Sequence, residues 1–107
     1  MNILAFDLGA SSGKLSLGRF DGDRLSIESV HRFDNGPIGF GNGLYWDFIG
    51  IWREMLAGIA QADRRAGEGI ASFGIDSFSN NFALIDRQGA LLSPMRCYRD
   101  ERIARCR

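Results

Sequence analysis

The stretch FDLGASSGKLSLGRF, Phe6–Phe20, joins an apolar run to an alternating run through a turn of small residues. The apolar run that leads into it, Asn2–Asp7, predicts a short buried strand that ends in an acid. From Lys14 onward, apolar residues alternate with small or polar ones, which predicts a second strand with one buried face. The sequence thus predicts two antiparallel strands whose connection carries an aspartate, glycines, serines and a lysine.

A third strand and a glycine-rich loop follow this pair. Asp21-Gly22 is typical of a tight hairpin turn, and the alternation over Arg24–Phe33 predicts the strand that leaves it. The next stretch, Asp34–Gly43, contains four glycines and Pro37. Because glycine and proline interrupt regular structure, we expect this stretch to be a loop without strand or helix.

One long helix is predicted after the loop. Asp47 is a favourable N-cap, and the apolar residues that follow it recur at helical spacing. The pattern ends near Ala66, just before Gly67, which is a common residue after the last turn of a helix. Trp46 and Trp52 are expected in the core because large aromatic side chains are usually buried.

Two further strands complete the predicted order β-β-β-α-β-β, and a turn then leads into one more short run. The first is the buried run Ile70–Asp76, the second is Asn81–Asp86, and a turn at Gln88-Gly89 leads into Ala90–Leu92. A meander followed by a helical crossover predicts an α/β fold with a mixed sheet. The single helix covers one sheet face, and the non-alternating strands predict that the other face is apolar too, as in part of a larger domain.

Composition and charge exclude several classes of protein. The chain has 107 residues, and its 13 acidic and 13 basic side chains give no net charge. We therefore predict no nucleic-acid partner and no membrane partner. The two cysteines, Cys97 and Cys106, lack the spacing of a metal site. No apolar run reaches the roughly 18 residues that span a membrane, and the first residues lack a basic leader, so a cytoplasmic location is expected.

The turn after the first strand has two chemical interpretations. Backbone N–H groups in a turn with Gly9 and Gly13 can converge on an anion, the two serines add hydroxyls, and Lys14 adds a positive charge. Asp7 would repel a phosphate unless a metal ion lay between them, which suits a nucleotide phosphate with Mg²⁺. The alternative is an ordinary hairpin with an exposed lysine. Neither the Walker A pattern nor the dinucleotide pattern G-x-G-x-x-G is present.

The stretch AFDLGASSGKLSLGRF resembles the first phosphate motif of the FGGY carbohydrate kinases, and among them of the rhamnulokinases. Four further segments resemble the same family in the same order, so that the resemblance spans nearly the whole chain. These segments are HRFDNGP (31–37), YWDFIGIWREMLAGI (45–59), SFGIDSFSNNFALIDRQG (72–89) and PMRCYRDERI (94–103).

This resemblance implies the ribonuclease-H-like, actin-like ATPase fold, present here as an incomplete N-terminal domain over residues 1–107. It implies a kinase that transfers phosphate from ATP, with Mg²⁺, to a ketose such as L-rhamnulose at O1. By the same resemblance Asp7 serves the metal ion. The residues implied to line the ATP phosphates are Ala10, Ser11, Ser12, Gly13 and Lys14. The residues implied to contact the sugar are Asp76, Ser79, Asn81, Asp100 and Arg102.

The chain departs from the family pattern at several of these positions. Rhamnulokinases usually have arginine where this chain has Lys14, which keeps the charge but loses the forked geometry. Relatives typically read G-I-D-T-W-G-V-D-F where this chain has GIDSFSNNF. Phe78 therefore replaces a tryptophan, Ser79 a glycine that contacts sugar, and Asn81 an aspartate. These changes leave the identity of the sugar open.

Family members are several times longer than this chain. Their catalytic aspartate and their second domain, with its adenosine pocket, lie in a later part. Phosphoryl transfer depends on positioning and charge stabilisation from both sides of a cleft. We therefore expect the 107-residue chain to be inactive by itself. Three alternatives are open: half of a split kinase completed by a second chain, a decayed remnant, and an ATPase of related fold outside the FGGY group.

Overall fold

The computed structural model describes residues 1–101 of the chain. Arg102, which the resemblance assigns to the sugar, lies outside the described residues. The described chain forms six strands and one helix: β1 (Asn2–Leu8), β2 (Ser12–Phe20), β3 (Leu25–Asp34), β4 (Pro37–Phe40), β5 (Gly43–Trp46), α1 (Phe48–Ala66) and β6 (Ile70–Ser77).

The main sheet has four strands in the order β3-β2-β1-β6. Strands β1, β2 and β3 form an antiparallel meander, whereas β6 pairs with β1 in parallel after the crossover through α1. The mixed sheet with its strand-helix-strand connection is therefore as the sequence predicts. Strands β4 and β5 form a separate two-stranded sheet.

The core lies between α1 and one face of the meander. Its buried apolar residues are Leu4, Phe6, Leu15, Leu17, Val30 and Ala62. Gly58 allows the helix to approach closely, because a Cβ atom there would lie 2.8 Å from the Leu15 side chain. The predicted helix ends are confirmed: Asp47 accepts a hydrogen bond from the backbone N–H of Gly50 at 3.0 Å, and Gly67 adopts a positive φ of 70°.

The predicted loop after the third strand is in part a hairpin. Strands β4 and β5 pair antiparallel, with Ile38 opposite Tyr45 and Phe40 opposite Gly43. Gly41 makes the turn with a φ of 57°. The prediction that this stretch contains no strand is wrong because its glycines serve a tight turn between short strands rather than a loop.

The prediction of a strand over residues 81–86 is also wrong. No described residue pairs with the outer edge of β6, and the only pairing near this segment is a single bridge between Ile85 and Leu91. Phe82 is 78% exposed, so its apolar side chain has no face to cover. The turn at Gln88-Gly89 is present, and Asp86 accepts hydrogen bonds there from the N–H groups of Gln88 and Ala90.

The face away from α1 is apolar only in part, so the sequence-based expectation holds at one end of the sheet. There the side chains of Ile3 and Leu25 lie beside Gly18, whereas the small residues Ala5, Ser16 and Gly74 occupy the centre. The exposed apolar side chains of β6, Phe73 and Ile75, lie on the helix side, beyond the area that α1 covers. Trp46 is buried as predicted, but Trp52 is 55% exposed and is not part of the core.

Candidate functional site

A row of charged side chains crosses the main sheet near the carboxyl ends of β1 and β6. Each strand contributes one residue, and each is the cross-strand partner of the next: Arg32, Lys14, Asp7 and Asp76. Leu4 and Phe6 lie on the buried face of β1, and side chains alternate along a strand, so Asp7 projects from the opposite face. The row therefore lies on the face that α1 leaves open.

The charges of this row are available to a ligand. Asp7, Asp76 and Arg32 are exposed, and Lys14 is half-buried. Within residues 1–101, none of the four makes an ion pair. Two neighbouring carboxylates beside two cations can hold a divalent cation next to an anion that the cations neutralise.

The two carboxylates fit Mg²⁺ in particular. This ion keeps several of its waters and is usually bound by one or two carboxylates together with phosphate oxygens. The structure has no cluster of three or more possible ligands among the residues it describes, so it offers no preformed protein cage. A nucleotide-bound Mg²⁺ needs no such cage, and a single carboxylate, predicted here to be Asp7, would be enough to hold it.

The turn between β1 and β2 borders the row. Gly9 donates its backbone N–H to the carbonyl oxygen of Ser12 at 2.9 Å, which closes the turn. Gly13 lies directly against the ring of Phe33, so that any Cβ atom at this position would overlap the ring. Ser11 and Ser12 are exposed. The two serines of the predicted phosphate motif are therefore open to solvent, and only Gly13 separates them from Lys14.

Two residues beside the turn were not singled out from the sequence. Arg32 completes the charged row, and Asn35 makes hydrogen bonds to the turn through both its side chain and its backbone. Both lie in the segment HRFDNGP. The resemblance of this segment to the family was the available signal, but only cross-strand register shows that Arg32 aligns with Lys14.

The residues predicted to contact the sugar are not all in one place. Asp76 belongs to the charged row, and Ser79 is exposed just beyond the end of β6. Asn81 has a structural environment: its Oδ1 accepts hydrogen bonds from Trp46 Nε1 at 2.7 Å and from the Tyr98 N–H at 3.1 Å. Its Nδ2 donates to the carbonyl oxygen of Ser79 at 2.9 Å. Asn81 thus joins three segments of the chain.

Asp100 has a similar structural environment. It is 3% exposed, and its Oδ2 accepts a hydrogen bond from the Leu44 N–H at 2.8 Å. The Arg96 guanidinium lies 3.4 Å from the same oxygen. These contacts hold the segment around Cys97 against β5, together with the backbone hydrogen bond from Cys97 to Leu44. An open cavity of about 740 Å³ borders Asp100.

In the described part of the chain, the single helix is too polar to cross a membrane.

No family model matches the chain. A rhamnulokinase of Bacteroides thetaiotaomicron is 40% identical over 99 residues, which cover 92% of this chain and 20% of that protein. A rhamnulokinase of Oceanobacillus iheyensis is also 40% identical over 99 residues, and the match covers 92% of this chain and 21% of that protein. The predicted resemblance to rhamnulokinases is confirmed. The chain spans about a fifth of the length of the curated relatives it matches.

Solved structures of sugar kinases share the fold. A ligand-bound xylulose kinase from Lactobacillus acidophilus superposes with a TM-score of 0.77 at 15% identity, covering 98% of this chain and 21% of that one. A gluconate kinase from the same organism gives a TM-score of 0.78 at 15% identity, with the same coverage. At these identities the likeness shows the fold alone, and it confirms the predicted incomplete actin-like ATPase domain.

Proposed function

Because the chain belongs to the FGGY carbohydrate kinases, we propose that it is the N-terminal part of an ATP-dependent kinase whose acceptor is a ketose such as L-rhamnulose, phosphorylated at O1. One observation supports this proposal above the others. The charged row places two cations and two carboxylates on one open sheet face, beside a turn of small residues. That arrangement suits a nucleotide triphosphate with its metal ion.

In this proposal each part of the row has a separate role. The turn over residues 10–13 and the Lys14 ammonium hold the ATP phosphates, and Arg32 adds a second positive charge. Asp7 holds a water of the bound Mg²⁺. When bound, Mg²⁺ neutralises the charge that develops on the phosphate oxygens during transfer. Two carboxylates next to two cations keep the local charge balanced until the nucleotide arrives.

The sugar lies next to Asp76 in this proposal. Asp76 neighbours Asp7 across the parallel pair β1–β6, so a hydroxyl bound there would lie beside the metal-bound phosphate. The other residues proposed to line the sugar site are Ser79, Asn81 and Asp100, together with Arg102, which lies outside the described residues. The oxygens of Asn81 and Asp100 already accept hydrogen bonds from the protein. We therefore expect these two residues to shape the sugar pocket, and Asp76 to make the direct contact.

We propose further that the 107-residue chain does not catalyse transfer by itself. The resemblance places the proton-accepting aspartate and the adenosine pocket in the part of the family that this chain does not cover. The exposed apolar side chains Phe73 and Ile75 support this view, because they lie on a strand whose outer edge no residue among 1–101 pairs with, and such a surface needs a covering layer. The remaining kinase, whether a continuation or a second chain, would supply that layer. Because ATP is the phosphate donor, we keep the cytoplasm as the proposed location.

Binding and turnover by the purified chain test the proposal. We expect calorimetry to detect Mg-ATP binding, and a coupled assay to detect no ATP turnover with or without L-rhamnulose. Lys14→Gln should weaken binding about tenfold or more, because a charge-assisted contact is lost. Lys14→Arg should keep most of the affinity, since it restores the arginine that the family usually has.

A carboxylate pair of variants tests the metal assignment. Asp7→Asn should raise the Mg²⁺ concentration needed for ATP binding, whereas Asp63→Asn, an exposed position on α1, should leave it unchanged. Sugar-dependent ATP turnover by the isolated chain would contradict the proposed inactivity. Equal affinity of Lys14→Gln and the unaltered chain would contradict the phosphate site.

A further inference from the structure

The carbonyl groups of the turn between β1 and β2 are held by hydrogen bonds from the protein. The Asn35 side chain donates from Nδ2 to the carbonyl oxygen of Gly9 at 2.9 Å. The Asn35 backbone N–H donates to the carbonyl oxygen of Ser11 at 3.0 Å. The third bond, from Gly9 N–H to Ser12, is internal to the turn. Among the bonds of the described residues, Asn35 therefore supplies both of those that fix the turn from outside.

The direction of these carbonyls determines the direction of the neighbouring N–H groups. In a planar trans peptide the C=O and N–H bonds point in opposite directions. Since the Gly9 carbonyl points to Asn35, the N–H of Ala10 points away from it. The same relation turns the N–H of Ser12 away, because the Ser11 carbonyl also points to Asn35.

We propose that Asn35 is a positioning residue for the phosphate turn, and this proposal rests on the phosphate site described above. A carbonyl oxygen facing a phosphate would repel it, whereas an N–H group attracts it. By holding two carbonyls against the end of β3, Asn35 keeps the N–H groups of Ala10 and Ser12 on the side of the ligand. Asn35 itself does not touch the phosphates.

Asparagine suits this role better than aspartate or serine, the side chains closest to it in size. The bond to Gly9 needs a side-chain donor, and an ionised aspartate has none. Serine can donate but is one atom shorter, so it would not reach the same carbonyl without movement of the chain. The position directly after β3 fixes the backbone N–H on Ser11 at the same time.

Removing the side-chain donor without adding charge tests the proposal. We expect Asn35→Ala to raise the Kd of Mg-ATP, and that of Mg-tripolyphosphate, by about threefold to tenfold, with one binding site per chain still present. Tripolyphosphate isolates the effect on phosphate recognition, because it has no adenosine. Asn42→Ala, an exposed asparagine in the β4–β5 hairpin, is the matched control and should keep the Kd of the unaltered chain.

Three results distinguish the possibilities. An unchanged Kd in a folded Asn35→Ala variant would overturn the positioning role and leave the phosphate site intact. A chain that binds neither probe without any substitution would overturn the phosphate site and the positioning role with it. If Asn35→Ala fails to fold, amide shifts of the unaltered chain on adding tripolyphosphate decide: the largest should fall on Ala10 and Ser12, and shifts confined elsewhere would refute the proposal.

Discussion

Two clusters of charged residues lie at opposite ends of the main sheet and on opposite faces. At the end away from the phosphate turn, Glu28 bridges two guanidinium groups: its Oε2 lies 2.9 Å from Arg19 Nη1, and its Oε1 pairs with Arg65. Arg19 also donates to the backbone carbonyl of Arg65 at 2.9 Å. This cluster joins β2, β3 and α1 to each other and its charges are satisfied within the protein.

The charged row at the other end has similar residue types but a different arrangement. Among residues 1–101 its four members make no ion pairs, although Asp7 and Asp76 are neighbours of like charge. A folded chain gains nothing from keeping two carboxylates adjacent and unpaired. The comparison teaches that residue type does not distinguish the Glu28 cluster from the row that we propose as a binding site. The two differ in whether their charged groups have ion-pair partners among the described residues.

The largest expected effect on stability comes from disturbing the packing of the sheet next to the phosphate turn. Gly13→Ala should lower the free energy of unfolding by about 1–3 kcal/mol, because the new methyl group overlaps the Phe33 ring. Urea denaturation followed by circular dichroism measures the change. Gly39→Ala is the matched control in a short strand, since a Cβ atom there has no neighbour within 4 Å, and its effect should stay near about 0.5 kcal/mol or less. Equal effects of the two substitutions would contradict the close contact.

A substitution within the charged row should have a smaller effect on the free energy of unfolding, and in the opposite direction. Asp76→Asn should raise the free energy of unfolding by roughly 0.5 kcal/mol, because it removes the repulsion between neighbouring carboxylates. The same substitution should weaken any sugar binding. Thermal unfolding at low salt measures the stability, and Asp63→Asn serves as the control on the surface of α1. A loss of stability in Asp76→Asn would show that this carboxylate has a structural partner after all.

The smallest effect concerns the satisfied cluster and depends on pH. The hydrogen bond from Arg19, followed by that from Arg65, lowers the pKa of Glu28 below its ordinary 4.5. Since the folded-state pKa is the lower one, the stabilising contribution is fully present above about pH 4.5 and is lost as the pH falls through the folded-state pKa. Glu28→Gln should therefore flatten part of the decrease in Tm on acidification.

Melting curves recorded from neutral pH down to about pH 3 would test this expectation. Glu68→Gln is the control, because Glu68 is exposed and makes no ion pair in the part of the chain that the structure describes. Parallel Tm profiles for Glu28→Gln and the unaltered chain would show that the guanidinium contacts do not persist in solution.

Local patterns in the sequence predict most of the main sheet and its helix. The alternation from Lys14 to Phe20 places Leu15 and Leu17 in the core, where both are buried, and Asp47 and Gly67 mark the two ends of α1. These predictions succeed because each depends on neighbours a few residues apart.

The failures involve contacts between distant parts of the chain. The segment 81–86 has residues suited to a strand, but within residues 1–101 it does not pair with the outer edge of β6. The burial of Asp100 depends on Leu44, which is 56 residues away. The register shift between β2 and β3 decides that Arg32, and not a neighbouring residue, aligns with Lys14. Of the charged row, the sequence therefore indicated Asp7, Lys14 and Asp76 but not Arg32.

Because α1 separates β6 from the meander in sequence, the two halves of the charged row form at different stages of folding. Arg32, Lys14 and Asp7 belong to the meander, whose hairpins close short loops at little entropic cost. Asp76 reaches Asp7 only when β6 docks in parallel, across a sequence separation that includes the whole helix. We therefore expect a refolding chain to assemble Arg32, Lys14 and Asp7 first and to add Asp76 last. During synthesis on the ribosome, the half of the row proposed to bind the nucleotide would form before the half proposed to contact the sugar.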